Sequence, residues 1–172
     1  MCTEKGPNIK LVRLTETDLP ILFRWINDEE LVSFSAVYKP VSWEEHLAWF
    51  EKVKVQKEVS IFGIRLNDTD QLIGSCQLRS IQSVANSAEL RIRIGESFAQ
   101  SKGYGSEAVR LLVNFGFANL KLDRVYLYVF TDNERAVKAY MKNGFIKEGI
   151  LKGAWVIQGK PKDLLSMAIL KP

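Results

Sequence analysis

A strand, a glycine-bearing turn and a long helix follow one another between residues 88 and 120, and no other stretch restricts the fold as much. Ala88-Glu89-Leu90-Arg91-Ile92-Arg93-Ile94 alternates with a strand's period of two. Glu89, Arg91 and Arg93 therefore share one face, and Leu90, Ile92 and Ile94 the other. From 106 onward, Glu107, Arg110, Asn114 and Lys121 recur at helical spacing, while Val109, Leu112, Val113 and Leu120 fill another face. The turn between them reads Gln100-Ser101-Lys102-Gly103-Tyr104-Gly105. Without side chains at Gly103 and Gly105 a ligand can approach the backbone closely, and the open amides at a helix start attract anions. A diphosphate is the natural guest. The turn is not a Walker loop, because no Lys-Ser or Lys-Thr follows the second glycine, and it lacks the full G-x-G-x-x-G of dinucleotide folds. As a bare pattern the same spacing also describes an ordinary turn.

The rest of the chain supplies a sheet for this unit. Residues 9–14 alternate as a first strand, and Thr15 to Thr17 offer caps for a helix through Asp28, with Pro20 in its first turn. Residues 31–41 are irregular and carry Phe34 and Tyr38. Ser42-Trp43-Glu44-Glu45 forms a capping box for a second helix to about Gln56. Residues 59–66 and 71–79 read as strands joined by the turn Asn67-Asp68-Thr69-Asp70. After the central helix, 124–130 is a strand, Asn133 caps a short helix that stops at Asn143-Gly144, and 145–152, 154–157 and 163–170 complete the sheet.

Composition narrows the class. The 172 residues suit one domain with a real core. No apolar run approaches the roughly 18 residues that a membrane span requires. The first seven residues contain no apolar signal region. Cys2 and Cys76 are too few for a disulfide framework or metal cluster, which favours a reducing, cytoplasmic setting. The net charge of +4 suits an anionic ligand but argues little for nucleic acid.

Gln100-x-x-Gly103-x-Gly105 resembles the acetyl-CoA pyrophosphate loop of the GNAT acetyltransferases, Q/R-x-x-G-x-G/A. The strand holding Glu89 is similar to that family's fourth strand. Asn133, Ala136, Tyr140, Asn143, Gly144 and Phe145 resemble its second cofactor element, N-x-x-A-x-x-x-Y-x-x-x-G-F. The tail, from Ile150 through Gln158-Gly159-Lys160 to Leu170, is similar to its closing hairpin. The resemblance implies one mixed α/β (α+β) GNAT domain over 1–172, with acceptor-side helices at about 16–57 and a cofactor core at about 88–145. It further implies about seven mostly antiparallel strands, splayed between the fourth and fifth, with about four flanking helices.

By the same resemblance, acetyl-CoA as co-substrate would lie along the backbone of Ile92, Arg93 and Ile94. Its diphosphate would sit over Gln100, Ser101, Lys102, Gly103, Tyr104, Gly105 and Ser106, with Asn133, Ala136 and Tyr140 beside the pantetheine arm. Tyr140 would serve the leaving thiolate, since a phenol of pKa about 10 can donate a proton or a hydrogen bond. Otherwise, Asn133 is a helix cap and Tyr140 a core ring. Glu89 is the candidate general base; ordered water, or a mere Glu89–Arg91 surface pair, is the other reading. Neither a metal nor a covalent acyl-enzyme is expected.

The chain looks closest to the branch that acetylates N-terminal residues of ribosomal proteins. Arg24-Trp25-Ile26-Asn27 and Ser42-x-x-Glu45-His46-x-x-Trp49-Phe50 also resemble amino-sugar-nucleotide acetyltransferases. Trp25, Asn27, His46 and Trp49 are accordingly the candidate acceptor residues. The expected activity is direct acetyl transfer from acetyl-CoA to a primary amine, on a protein N-terminus or a small molecule. A non-catalytic acyl-CoA sensor is the remote alternative. No membrane or nucleic-acid partner is expected, and a homodimer stays open.

Overall fold

The alternating stretch near the N-terminus is paired on both its edges. A computed structural model, which describes residues 2–33 and 37–172, opens with strand β1 (Cys2–Lys5) folded back on β2 (Ile9–Arg13). Phe34 lies outside the described residues. β1 was not expected: Cys-Thr-Glu-Lys carries no strand pattern of its own, and only pairing to β2 makes it one. Six further strands follow: β3 (Ser60–Leu66), β4 (Leu72–Gln82), β5 (Ser87–Ile94), β6 (Arg124–Phe130), β7 (Ile146–Ile157) and β8 (Lys160–Leu170). All eight form one sheet in the order β1-β2-β3-β4-β5-β6-β8-β7. Every pairing is antiparallel except that of β5 with β6.

The helices are α1 (Leu19–Ile26), α2 (Glu29–Ser33), α3 (Trp43–Val55), α4 (Tyr104–Ala118) and α5 (Glu134–Lys142). The cap residues read from the sequence act as caps. Ser42 Oγ accepts from the Glu45 amide while the Glu45 carboxylate accepts from the Ser42 amide, and Thr15 and Asp18 do the same before α1. Two expectations are corrected. A short helix, α2, occupies the start of the irregular 31–41 stretch, its Asp28 carboxylate accepting from the Leu31 amide. The segments 145–152 and 154–157 are one long strand, β7, carried past an irregularity between Leu151 and Trp155 by Gly153 at φ +57°.

The helices cover the sheet on both sides. On one side α4 lays Ala108, Val109, Leu112 and Phe115 against Leu11, Phe62, Leu78, Leu90 and Val125, all buried. Gly116 allows this close approach, because a Cβ there would meet Leu78 at 3.0 Å. Truncating a side chain such as Leu112 in this layer costs roughly 2–5 kcal/mol. On the other side Leu19, Leu22 and Trp25 of α1 and Phe50 and Val53 of α3 pack over Leu72. That second layer covers the N-terminal half of the sheet. β7 is exposed along almost its whole length.

The parallel pairing of β5 with β6 is short. It joins Ser87, Ala88 and Glu89 to Arg124, Val125 and Tyr126 and then stops, while β5 stays bonded to β4 as far as Ile94. The two strands splay beyond Glu89, as the resemblance implied, leaving an open wedge in the sheet.

Candidate active site

The wedge contains a cavity of about 370 Å³. Its walls are Ile92, Arg93 and Ile94 of β5, Tyr128, Val129 and Phe130 of β6, the turn before α4, and the first turns of α5. One edge of β5 there has no strand to pair with, so its amides and carbonyls face the cavity as a strand edge faces an incoming peptide.

The turn holds its shape through backbone conformation. Ser101 has φ +61° and Gly103 φ +87°, and Gly103 is the N-cap of α4 with no side chain capping the helix. The first amides of α4 are therefore open toward the cavity, where the helix dipole adds to their pull on an anion. A Cβ built on Gly103 would meet nothing within 4 Å, and one on Gly105 would meet only Ile94 Cγ1 at 3.6 Å. The protein leaves that space vacant, which fits a diphosphate laid against the backbone. Gln100 closes the turn by donating from Nε2 to the Ile94 carbonyl at 3.3 Å. Gln100, Ser101, Gly103, Gly105 and Ser106 line the cavity; Lys102 and Tyr104 do not. Lys102 instead lies over the Phe98 ring, and Tyr104 packs against the core.

α5 forms the facing wall. Asn133 Oδ1 accepts from the Ala136 amide at 3.2 Å, so Asn133 is the helix cap. It lines the cavity as well, with Ala136 and Tyr140. Cap and cavity residue are thus one side chain: Oδ1 serves the helix and Nδ2 remains a donor. Asn143 ties the end of α5 to the start of α4, donating to Ser106 Oγ at 2.8 Å. Arg135 was missed from sequence. It donates from Nη1 to Ser101 Oγ at 3.0 Å across the mouth of the wedge, and it lines the cavity. Its place in the first turn of a capped helix that faces the glycine-bearing turn was the available signal.

Tyr140 packs its ring against Phe145 at 5.8 Å, and burial pushes its phenol up to about 12. The hydroxyl is therefore a proton donor throughout the neutral and mildly alkaline range. Tyr140 also lines a second cavity, of about 710 Å³, on the other side of the wedge. Ile92, Arg93, Tyr128, Tyr140 and Leu164 belong to both, so the two meet there.

The second cavity is walled by α1, α3 and the β7–β8 hairpin. Glu89 stands in it, only 8% exposed, with Oε1 accepting from Arg91 Nε at 2.7 Å and Oε2 3.7 Å from Arg79 Nε. The Glu89–Arg91 pair weighed from the sequence is thus real, but its carboxylate is buried rather than on the surface. Trp25 lines the cavity and donates from Nε1 to Glu96 at 3.2 Å, so it couples α1 to the segment entering the turn before α4. Trp49 also lines it and stacks on His46 at 5.3 Å. His46 is 4% exposed, its Nε2 is 3.1 Å from the Leu19 carbonyl, and burial lowers its pKa. It braces α3 against α1 and, with Trp49, lines the cavity.

Asn27 is not among the lining residues. Both its polar atoms hold Val41: Oδ1 accepts from the Val41 amide at 2.9 Å and Nδ2 donates to the Val41 carbonyl at 3.0 Å. It shapes the wall through Val41, which does line the cavity. Tyr128, Leu151 and Trp155 complete this space and were also missed. Tyr128 stands on the face of β6 opposite Val125, Leu127 and Val129, which the alternation could have indicated; Trp155 depends on how β7 bends. Among the described residues no group of three or more His, Cys, Asp and Glu could hold a metal ion. No described helix is long and apolar enough to cross a membrane.

Comparison with known proteins agrees with this geometry. The model of the acetyltransferase (GNAT) domain matches residues 8–146. An uncharacterized N-acetyltransferase of Bacillus subtilis, YoaA, is 28% identical over 94% of this chain and 93% of its own. The acetyltransferase PseH of Campylobacter jejuni is 28% identical over 80% of this chain and 84% of its own. Among solved structures, spermidine N-acetyltransferase from Vibrio cholerae, in complex with CoA and spermine, superposes with a TM-score of 0.90 at 27% identity over 96% of both chains.

Proposed function

The chain belongs to the GNAT acetyltransferase family, and on that premise we propose that it transfers acetyl directly from acetyl-CoA to a primary amine held in the larger cavity. One observation carries the reading: the vacant space over uncapped helix amides and the cavity holding Glu89 open into each other at Tyr140. Bound acetyl-CoA supplies an activated thioester. The open amides of α4 would hold its diphosphate, with Arg135 a cation beside the turn, and the free edge of β5 and Asn133 Nδ2 would hold its amide-bearing arm.

Glu89 is placed to take a proton from the acceptor ammonium, directly or through one water. Its hydrogen bond to Arg91 fixes the carboxylate's orientation. Tyr140, protonated at neutral pH, donates to the departing sulfur. Burial of Glu89 and Tyr140 keeps bulk water from competing for these protons.

The acceptor is a primary amine on a protein N-terminus or a small molecule. The aromatic walls of Trp25, Trp49, Trp155 and Tyr128, with the resemblance carried by residues 24–27 and 42–50, favour a second, narrower reading, an amino-sugar nucleotide. A thiol-release assay with acetyl-CoA over peptides, polyamines and amino sugars tests the activity. Release of CoA with at least one amine is expected, and none with any amine, despite tight CoA binding, would overturn it.

A further inference from the structure

Trp25, a wall of the larger cavity, is held by a segment that belongs to the smaller one. Its indole lies so close to the chain at Gly95 that a Cβ there would come within 2.1 Å of Trp25 Cδ2 and Cε2. Only glycine admits that contact. The next residue, Glu96, accepts from Trp25 Nε1 at 3.2 Å, and the same carboxylate oxygen accepts from Arg24. Two neighbours on α1 are thus fastened to two neighbours just past β5.

Glu96 is not among the lining residues of either cavity, yet Ile94 before it and Ala99 and Gln100 after it line the smaller one. The stretch between them is bonded into one piece. The Gly95 and Glu96 amides both donate to the Ile73 carbonyl of β4, at 2.9 and 3.2 Å. The Ala99 amide donates to the Glu96 carbonyl at 3.0 Å, and Gln100 returns to the Ile94 carbonyl through Nε2. This piece leads directly into the turn before α4. Its backbone therefore belongs to the smaller cavity, while the Glu96 side chain, 16% exposed, reaches across to the larger one.

We propose that Glu96 is a positioning residue that locks Trp25 to residues 94–100, so that the acceptor wall is set from the cofactor side. This rests on the reading of the turn as the CoA site. CoA laid against the turn and the strand edge at Ile94 would tighten the piece, and the indole bonded to it would register the change. Coupling between two sites is reciprocal, so whatever frees Trp25 should also weaken CoA binding. Arg24 lines neither cavity and its side chain is 63% exposed, so its ion pair with Glu96 should matter little.

The test follows the indole N–H groups of the full chain by heteronuclear NMR, the Trp25 signal being the one lost in Trp25→Phe. In the parent chain CoA should shift that signal, with a midpoint matching the Kd from calorimetry. Glu96→Ala removes the acceptor and should cut the shift to about half or less while raising the Kd for CoA about fivefold. It should also speed exchange of the Trp25 indole hydrogen in the free protein at least about fivefold. Glu96→Gln keeps a carbonyl acceptor for the indole and should stay within about twofold of the parent on each measure. Arg24→Gln should do the same. A Trp25 signal that saturating CoA leaves in place, or that shifts as far in Glu96→Ala as in the parent, overturns the inference. Should Glu96→Ala not fold, Trp25→Phe decides: it keeps an aromatic ring without the donor, and an unchanged Kd for CoA overturns the inference. No CoA binding at all would sink the cofactor reading and the coupling with it, whereas CoA binding with an unmoved indole would sink the coupling alone.

Discussion

The two halves of the wedge are built by different means. The cofactor side is built from backbone: open amides at the start of α4, the unpaired edge of β5, and glycines that leave room. The acceptor side is built from side chains: Trp25, Trp49 and Trp155 for its walls, and Glu89 with two arginines for its charge. Backbone sites depend on a few positions where any side chain is excluded. Side-chain sites can be respecified one residue at a time without disturbing the fold. The first half should therefore be fragile toward added bulk and indifferent to pH, and the second should show the opposite.

The sharpest test of this division is Tyr140, which belongs to both halves. Tyr140→Phe keeps the ring against Phe145 and removes only the donor, so kcat should fall by roughly 10²-fold or more while CoA still binds. A loss confined to the KM for acetyl-CoA would make Tyr140 a packing residue and return it to the cofactor side alone. Next in size, Gly105→Val should raise the Kd for CoA at least tenfold, or about 1.4 kcal/mol, in a folded protein. The fold should tolerate it, because the added Cβ meets only Ile94 at ordinary contact distance. Unchanged CoA binding by calorimetry would remove the turn from the site.

For the acceptor half, Glu89→Gln keeps shape and hydrogen bonding but abolishes basicity. It should lower kcat/KM more than tenfold at pH 7, with much of the loss recovered toward pH 9 as the free amine accumulates. An equal loss at both pH values would mean that Glu89 orients the acceptor instead. No loss at either pH would leave ordered water as the base.

The smallest effect concerns stability. The unfolded chain takes up a proton at His46 near pH 6.5, whereas burial makes the folded chain resist it, so this contribution to stability is present above about pH 6.5 and is lost on acidification. His46→Gln should therefore show a smaller drop in Tm between pH 7 and pH 5 than the parent, with CoA affinity little changed. A CoA affinity that fell with His46 would mean that the halves are mechanically coupled, most directly through Trp25 and Glu96.

The same division explains what could be read from sequence. Gly103, at φ +87°, the Asn133 cap and the Gly144 stop, at φ +88°, are required by backbone conformation, and such requirements leave local signatures at fixed spacing. The capping box at Ser42 and the alternation of β5 are legible for the same reason. The acceptor residues form a set only in three dimensions: Asn27 works through Val41, fourteen positions on, and Trp155 reaches the cavity because β7 bends at Gly153. No local pattern foretold that His46 would turn to the Leu19 carbonyl. β1 escaped notice because a strand made by its partner has no pattern of its own.

One contact links the chain's beginning to its cofactor helix. Glu107, in the first turn of α4, accepts from the Asn8 amide at 3.0 Å, from Asn8 Nδ2 at 2.8 Å and from the Ile9 amide at 3.2 Å. A Cβ on Gly6 would collide with that carboxylate. The Asn8–Glu107 contact spans 99 positions of sequence, and closing so long a loop is favourable only once the intervening strands have already assembled. The β1–β2 hairpin can pair with β3 as soon as that strand forms, but its bonds to Glu107 must wait for α4. The first turn of α4, whose open amides would meet the diphosphate on the proposed function, is thus tied to a segment 99 positions away. On the proposed function, CoA binding would therefore depend on the β1–β2 hairpin as well as on the turn itself.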